Sequence, residues 1–300
     1  MAQGLARVVP GDALTVIGNT ADDFWHHGLR ICPDLDTVMY TLAGIANPAT
    51  GWGIANDTHH TLDALTRYGE APWFQVGDQD FATHILRSAR LRADHSLTHV
   101  TAALAAALGV TARLLPMTDD EVATRVLTPT SELDFQEYFV ARRQMDDVIG
   151  ISFAGIDQAC PTPEVLAAIA EAVAIVICPS NPIVSIGPIL AVPGLRDALA
   201  AATAPVVAIS PIVGGRALKG PADRMLATLG HEVSALGVAR ILSGLVEVFV
   251  LDEADADLAA AVAALGMRPV VTRTVMGDAT DRARLASESL NALGALGAPV

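Results

Sequence analysis

The feature that most constrains the fold is a set of short apolar runs that each end abruptly near a polar residue. These runs, rich in Val, Ile and Ala, occupy residues 13–20, 174–182, 205–211 and 246–252. Runs of about four to eight apolar residues without polar alternation are typical of strands buried on both faces, as in a parallel sheet. Between them, apolar residues spaced by threes and fours indicate helices, which begin near Pro163, Pro193 and Pro221. This alternation predicts an α/β fold with a doubly wound, mostly parallel sheet.

The middle of the chain has a different pattern. Residues 50–110 contain helical candidates such as THHTLDALTRYGE, whereas residues 111–155 alternate apolar and polar side chains around a turn near Pro129. Such alternation indicates antiparallel strands. The predicted domains are therefore a core formed by residues 1–47 and 161–300, and an inserted α+β region formed by residues 48–160.

Composition narrows the classes of function. The 300-residue chain has 33 acidic and 19 basic side chains, a formal net charge of −14 and 52% hydrophobic residues. This balance argues against nucleic acid as a partner, because nucleic-acid binders neutralise phosphates with clustered Lys and Arg. The three cysteines are widely spaced, and no segment has the apolar core of a signal peptide or a membrane span. We therefore expect a cytoplasmic protein with no membrane partner.

An acidic segment follows the first apolar run. Its aspartates are Asp22, Asp23, Asp34 and Asp36. Carboxylates gathered at a strand end are the hard oxygen ligands that Mg²⁺ prefers, one or two of them together with substrate phosphates. Ligands of open parallel sheets bind outside the carboxyl ends of the strands, which makes this segment a candidate site. The alternative, with equal weight, is that some of these side chains cap helices or are solvated loop charges.

Other segments add candidate polar groups. Residues 178–190 place Ser180 and Asn181 directly after an apolar run, and such a turn can offer donors to an anion. A proline-stiffened turn without a ligand is an equal alternative. Residues 209–224 contain Gly214 and Gly215 but match neither the Walker A nor the dinucleotide spacing. On the helical segment 77–87, a lone histidine such as His84 is more often a core or capping residue than a ligand.

Together these segments resemble the 2-phospho-L-lactate transferase family, which works in biosynthesis of the deazaflavin coenzyme F-420. The resemblance runs from residue 2 to near residue 280, with the motifs in the family's order: NTADDFWHHGLRICPDLDTVMYTLAG, GWGI, GDQDFATHILR, LPMTDD, FQEYFV, PSNPIVSIGPIL and SPIVGGRALKGPAD. It implies a Rossmann-like fold and a Mg²⁺-dependent transfer from a guanosine diphosphate conjugate to the terminal ribityl hydroxyl of the deazaflavin Fo, with release of GMP. The transferred group is of the phospholactyl type; phospholactate, phosphoenolpyruvate and phosphoglycerate all remain open.

The resemblance also implies roles for individual residues. Asp23 and Asp36 are the expected catalytic residues, and Asp23, Asp34 and Asp36 the expected Mg²⁺ ligands. The inserted region is expected to contribute to the deazaflavin pocket, and Fo is expected to contact Asp36, Trp52, Asp78 and Arg87. The expected nucleotide-binding residues are Asn19, Thr20, Ser180, Asn181, Ser185, Gly214 and Gly215. A homodimer is a further expectation.

One departure from the family concerns the start of the chain. Family members open with a β-strand and a Gly-Gly-x-Gly-Gly-type loop, whereas this sequence begins MAQGLARV, the pattern of the following helix. We expect either a start codon set too far downstream or a fragment. Such a chain is expected to be poorly soluble or nearly inactive, because a sheet edge would lack its partner and the site its phosphate-binding nest.

Two other functions fit parts of the sequence. PDLDT at residues 33–37 resembles the nucleophile motif of a haloacid-dehalogenase-type phosphatase, but that chemistry needs Asp34 at the end of a buried strand, and only LRIC precedes Pro33. A related family of regulators binds uridine diphosphate sugars on the same scaffold. Those regulators carry a Gly/Ser-rich stretch where this chain has FWHHGLRICPDLD, which favours the transferase.

Overall fold

The computed structural model describes residues 1–294. Its α-helices are α1 (Ala2–Val8), α2 (Pro33–Leu42), α3 (His60–Arg67), α4 (Asp78–Arg92), α5 (Leu97–Ala107), α6 (Pro163–Ala170), α7 (Ile186–Ala191), α8 (Leu195–Ala200), α9 (Ala222–Thr228), α10 (Ala235–Ile241), α11 (Ala259–Ala264) and α12 (Ala279–Leu293). Its β-strands are β1 (Thr15–Gly18), β2 (Phe24–His26), β3 (Leu29–Ile31), β4 (Arg113–Pro116), β5 (Ala123–Leu127), β6 (Glu132–Asp134), β7 (Gly150–Ala154), β8 (Ile175–Ile177), β9 (Val206–Ile209), β10 (Ile212–Val213), β11 (Arg216–Ala217), β12 (Val248–Asp252) and β13 (Arg268–Thr272). None of the helices within residues 1–294 combines the length and the apolar character needed to cross a bilayer.

The chain forms two compact units, and the predicted α/β class with parallel sheets is confirmed. One unit consists of Met1–Pro10 together with the chain from Pro161 onward, and the other of Gly11–Cys160. We call them the C-terminal unit and the N-terminal unit.

The C-terminal unit is built on a four-stranded parallel sheet in the order β13-β12-β9-β8. Strands β9 and β12 are buried along their whole length, as the uninterrupted apolar runs predict. Helix α1 packs closely on α12, where a Cβ on Gly4 would lie 2.1 Å from the carbonyl oxygen of Arg282. Only glycine permits that approach.

The N-terminal unit contains a parallel strand pair, an antiparallel hairpin and an antiparallel sheet. Strand β1 pairs in parallel with β4, and helices α2 and α5 share an apolar core with this pair. The three-stranded sheet has the order β6-β5-β7, which confirms the antiparallel strands predicted around Pro129. The alternating pattern does not extend into FQEYFV, however, because Glu137–Ala141 forms a π-helix. Phe135 and Phe139 stack there with ring centroids 5.4 Å apart.

The grouping of the two units differs from the division predicted from the sequence. That division placed residues 11–47 with the C-terminal half of the chain, whereas in the structure they pack with residues 48–160. The difference arises from tertiary contacts between segments that are distant in sequence. The first apolar run pairs with β4, and the helix after it, α2, packs against α5.

Candidate active site

The acidic segment surrounds the end of β1 and the start of α2 in the N-terminal unit. Proline at the first helical position and two aspartates in the first turn favour a helix that begins at Pro33. Asn19, directly after β1, accepts a hydrogen bond from the N–H of Ala21 through Oδ1. Its amide nitrogen donates to Asp22 Oδ2 at 3.1 Å and to Asp34 Oδ2 at 3.0 Å. One buried amide therefore bridges two carboxylates.

Asp22 and Asp34 form a buried acidic pair. Burial raises the pKa of both carboxyls, and the neighbouring Asp34 raises that of Asp22 further. Among the described residues no donor meets hydrogen-bond geometry at Asp22 Oδ1, although the nearby Thr124 side chain partly offsets the rise in the pKa of Asp22. Two carboxylates that share one amide repel each other unless a proton or a cation lies between them. This pair is thus the part of the acidic segment best suited to a divalent cation.

Asp23 has a different environment. Its side chain is 1% exposed, and within residues 1–294 neither carboxylate oxygen accepts a hydrogen bond from an N–H or O–H group; the Cys32 thiol is the one neighbouring donor that lowers its pKa. The Arg30 guanidinium lies 3.8 Å away. Burial raises the pKa of Asp23 to about 7, although Arg30 partly offsets that effect. A buried carboxylate without donors is an acceptor that a ligand can satisfy.

Asp23 lines a cavity of about 770 Å³ within the N-terminal unit. The lining residues are Asp23, Phe24, Trp25, Arg30, Trp73, Glu121, Val122, Ala123, Arg125, Asp134, Gln136, Glu137, Ala141, Ala154 and Gly155. Four of these side chains are acidic and two are basic, so the cavity has an excess of negative charge.

Aromatic side chains form one wall of this cavity. Trp25 and Trp73 are 46% and 37% exposed, and Phe24 packs against Trp73 with ring centroids 5.7 Å apart. The Arg30 and Arg92 guanidinium groups lie 5.9 and 5.6 Å from the Trp25 ring, within the range of cation–π attraction. A wall of this kind suits a planar ring system.

Arg30 provides the cavity with a cation whose hydrogen-bonding capacity is unused. Its guanidinium forms ion pairs with Asp23 and Glu121, both at 3.8 Å. It donates no hydrogen bond to any residue in the part of the chain that the structure describes. Its main chain is fixed, since its N–H donates to Ser88 Oγ at 2.7 Å and its carbonyl accepts from Arg87 at 3.3 Å.

The residues expected to bind Fo do not lie together in this cavity. Both oxygens of Asp36 contact Arg87, which is 1% exposed. Asp78 accepts hydrogen bonds from the N–H groups of His60 and Thr61 at the start of α3. A hydrogen bond from the Thr58 hydroxyl, together with these backbone bonds, lowers the pKa of Asp78. Trp52 is exposed and is not among the residues that line the cavity.

The expected metal ligands are also separated. Asp34 bonds to Asn19, Asp36 pairs with Arg87, and Asp23 faces the cavity. Among residues 1–294, no group of three or more His, Cys, Asp or Glu side chains is arranged to hold a metal. The described residues therefore form no metal site made of protein ligands alone. A Mg²⁺ ion that is also coordinated by substrate phosphates needs only one or two protein carboxylates.

The expected nucleotide-binding residues are divided between the units. Asn19 and Thr20 lie after β1 in the N-terminal unit, and the Thr20 hydroxyl is buried without a partner among the described residues. The others lie in the C-terminal unit, where Ser180, Asn181 and Ser185 form the turn between β8 and α7.

Two of the C-terminal groups already have structural partners. Asn181 Oδ1 accepts hydrogen bonds from the N–H groups of Ile183 and Val184, at 2.9 and 3.4 Å. Gly214 and Gly215 form the turn of the β10–β11 hairpin, and both have positive φ, as a type I′ turn requires. The Gly214 N–H donates to the buried Asp255 carboxylate at 3.0 Å. These groups shape their turns before any ligand binds.

Several residues of the site were missed by sequence reasoning. Trp25 and Arg30 lie inside the acidic segment, but a tryptophan and an arginine are also common in hairpins without a function, so the sequence did not mark them as site residues. No sequence pattern indicated Glu121 as a site residue, because only the fold brings it close to Trp25, which is 96 positions away. Asp255 likewise meets Gly214 only in the folded chain.

Comparisons with known proteins agree over almost the whole length. The family model described as 2-phospho-L-lactate transferase CofD matches residues 1–284. A phosphoenolpyruvate transferase from Kitasatospora aureofaciens is 47% identical over 292 residues, 95% of this chain and 91% of that protein. Another from Thermobifida fusca is 45% identical, covering 90% of this chain and 87% of that protein.

A solved structure shares the fold. It is a Bacillus halodurans protein of the UPF0052 family, with a TM-score of 0.59 and 16% identity over 96% of this chain and 95% of that one. At that identity the likeness supports the architecture alone.

Proposed function

The chain belongs to the 2-phospho-L-lactate transferase CofD family, and from that premise we propose that it transfers a phosphoenolpyruvate-type group to the deazaflavin Fo in coenzyme F-420 biosynthesis. The donor is a guanosine diphosphate conjugate. A ribityl hydroxyl oxygen of Fo bonds to the phosphorus that carries the three-carbon acid, the bond to GMP breaks, and the hydroxyl proton is released. Phosphoenolpyruvate is preferred to phospholactate and phosphoglycerate because the similar proteins bear that name.

The observation that carries the proposal is the unpartnered Asp23 carboxylate at the edge of an aromatic cavity. Fo combines a planar ring with a hydroxylated chain. The tryptophans would hold the ring, and Asp23 would accept a hydrogen bond from a ribityl hydroxyl. Arg30 would donate to ligand oxygens.

The charge of the lining side chains supports the acceptor, rather than the nucleotide, as the occupant of this cavity. The lining holds Asp23, Glu121, Asp134 and Glu137 against Arg30 and Arg125. Arg125 is itself paired with Asp134. A diphosphate would be repelled by this excess of negative charge, whereas a neutral polyol would not.

Mg²⁺ fits the Asp22–Asp34 pair. The proposal is supported by the closeness of two buried carboxylates that share the Asn19 amide, and by burial, which raises the pKa of both. When bound, Mg²⁺ would neutralise charge on the diphosphate during displacement. In this proposal Asp36 supports the site through Arg87 and is not itself a ligand.

The guanosine diphosphate is assigned to the C-terminal unit. Ser180 and Ser185 provide hydroxyl groups on the turn after β8, and Gly215 follows the tight turn of the β10–β11 hairpin. Asn181 and Gly214 would act by fixing the shapes of these turns.

The geometry does not favour the phosphatase alternative. Asp34 lies in the first turn of α2, and the strand before it, β3, belongs to a two-stranded antiparallel hairpin. The required nucleophile at the end of a buried parallel strand is absent at this motif.

The test is turnover with Fo and each of the three guanosine diphosphate conjugates. We expect GMP release and a deazaflavin product of the corresponding mass, fastest with the phosphoenolpyruvate conjugate. Asp23→Asn should reduce turnover by about a hundredfold, whereas Asp157→Asn, at an exposed position outside the cavity, should not. Absence of GMP release by folded protein with all three conjugates would refute the proposed reaction.

A further inference from the structure

Helices α2 and α4 share a network of buried polar side chains that do not line the cavity. We call Tyr40, Asp80, His84, Arg87 and Asp36 the α4 network. Each of the five is no more than 9% exposed. Burying charged and polar groups is costly unless they are paired, so a network of this size needs a physical reason.

The hydrogen bonds of the network assign the His84 tautomer. Arg87 lies 3.2 Å from His84 Nδ1, and a guanidinium can only donate. Nδ1 must therefore accept, which places the proton of the neutral imidazole on Nε2. That nitrogen lies 3.2 Å from Asp80 Oδ1, a close polar contact that does not meet hydrogen-bond geometry, and the Tyr40 hydroxyl donates to the same oxygen at 2.5 Å.

Arg87 transmits this arrangement to the wall of the cavity. It contacts both oxygens of Asp36 and donates to the carbonyl of Arg30. The next residue, Ser88, accepts the N–H of Arg30 and donates to the carbonyl of His84. Helix α4 thus holds both main-chain polar groups of Arg30, whose guanidinium faces Asp23.

We propose that His84 is a positioning residue for the transfer reaction, acting as the Nε2–H tautomer that joins Asp80 to Arg87. It fixes Arg87 against Asp36 and the Arg30 carbonyl, and so holds Arg30 and Asp23 in a constant relation at the cavity. This inference rests on the proposed function, because it takes the cavity as the acceptor site. His84 itself, 1% exposed, does not touch the substrate.

The tautomer makes a specific prediction about substitutions. Glutamine at position 84 can accept from Arg87 through its oxygen and donate to Asp80 through its nitrogen, whereas leucine can do neither. We expect His84→Leu to lower kcat by about ten- to a hundredfold, since small misplacements of a site can cost that much. The KM for the nucleotide conjugate should stay within about twofold of wild type, and His84→Gln should restore most of kcat.

A matched control separates positioning from lost stability. Phe81 is on the same helix, in a separate apolar cluster with Leu62 and Val76. Phe81→Leu should lower the melting temperature without touching the α4 network, and kcat of the folded enzyme should be near that of wild type. Equal kcat losses in Phe81→Leu and His84→Leu, or no recovery in His84→Gln, would overturn the inference.

A spectroscopic measurement tests the inference independently of turnover. Nitrogen-15 NMR of histidine-labelled protein reports which ring nitrogen of His84 carries the proton, with His84→Gln used to assign the signal. We expect a protonated Nε2 and an unprotonated Nδ1. A proton on Nδ1 would overturn the inference even if the wild-type protein released no GMP, an outcome that would separately refute the proposed function.

Discussion

Replacing Arg87 with leucine should destabilise the N-terminal unit far more than the loss of one hydrogen bond. The Arg87 guanidinium is 1% exposed and its partner Asp36 is 5% exposed. The variant would leave the Asp36 carboxylate buried without its cation. It would also remove a donor from the carbonyl of Arg30.

The magnitude follows from this burial. Removing one partner of a buried ion pair costs about 3–5 kcal/mol, a large part of the roughly 5–15 kcal/mol that stabilises a typical domain. In a unit of this size, 1 kcal/mol shifts the melting temperature by about 2–4 °C. The expected decrease is therefore on the order of 6–20 °C.

The assay is urea unfolding followed by circular dichroism for wild type, Arg87→Leu, Asp36→Leu and the double variant. The double variant should be more stable than either single variant, because apolar replacement of both ions leaves neither member of the pair buried without its partner. Arg90→Leu, at a partly exposed position of the same helix with no ion pair to the residues that the structure describes, should change stability by less than about 0.5 kcal/mol. A loss below about 1 kcal/mol in Arg87→Leu, or a double variant less stable than both singles, would refute the reasoning.

Two further predictions concern Asp23 and Asn181. Burial raises the pKa of Asp23 to about 7, so the folded state retains a proton that the unfolded chain releases. The stability that this group contributes is therefore complete below about pH 4 and is lost as pH rises through about 7. Asp23→Asn should therefore be more stable than wild type at pH 8 and equally stable near pH 4 in thermal unfolding; a constant difference across this range would contradict the assignment. Asn181→Ala should lower the melting temperature and weaken GDP binding by about tenfold in calorimetry, whereas Asn181→Asp, which keeps the Oδ acceptor for Ile183 and Val184, should preserve stability. An unchanged dissociation constant for GDP would place the nucleotide elsewhere.

Local sequence pattern predicted the apolar strands β1, β8, β9 and β12, but neither the π-helix at Glu137–Ala141 nor the grouping of the strands. The runs that became β1 and β8 are both short, apolar and followed by Asn or Ser. Nothing local to them indicates that β1 pairs with β4 while β8 pairs with β9. Pairing depends on which apolar faces are covered by which helices, and that information is spread over the chain.

The same limit applies to the acidic segment. Its spacing predicted carboxylates near a strand end, and Asn19, Asp22 and Asp34 do meet there. In sequence, however, Asp23 and Asp36 are equivalent. Asp23 faces the cavity and accepts no N–H or O–H hydrogen bond from the described residues, whereas Asp36 is paired with Arg87, a residue 51 positions away. The chemistry of each carboxylate is set by partners that a motif does not contain.

The segment 77–87 shows how this affects the interpretation of motifs. Its polar residues suggested a pocket wall in contact with Fo, yet Asp78 binds the start of α3, and Asp80, His84 and Arg87 are buried behind the hairpin of β2 and β3. The groups that face the cavity are Trp25 and Arg30, on that hairpin. A short two-stranded hairpin has little stability of its own, so a site built on it requires a rigid support. In the proposed site the buried polar face of α4 provides that support, which gives a physical reason for a polar motif at positions outside the cavity lining.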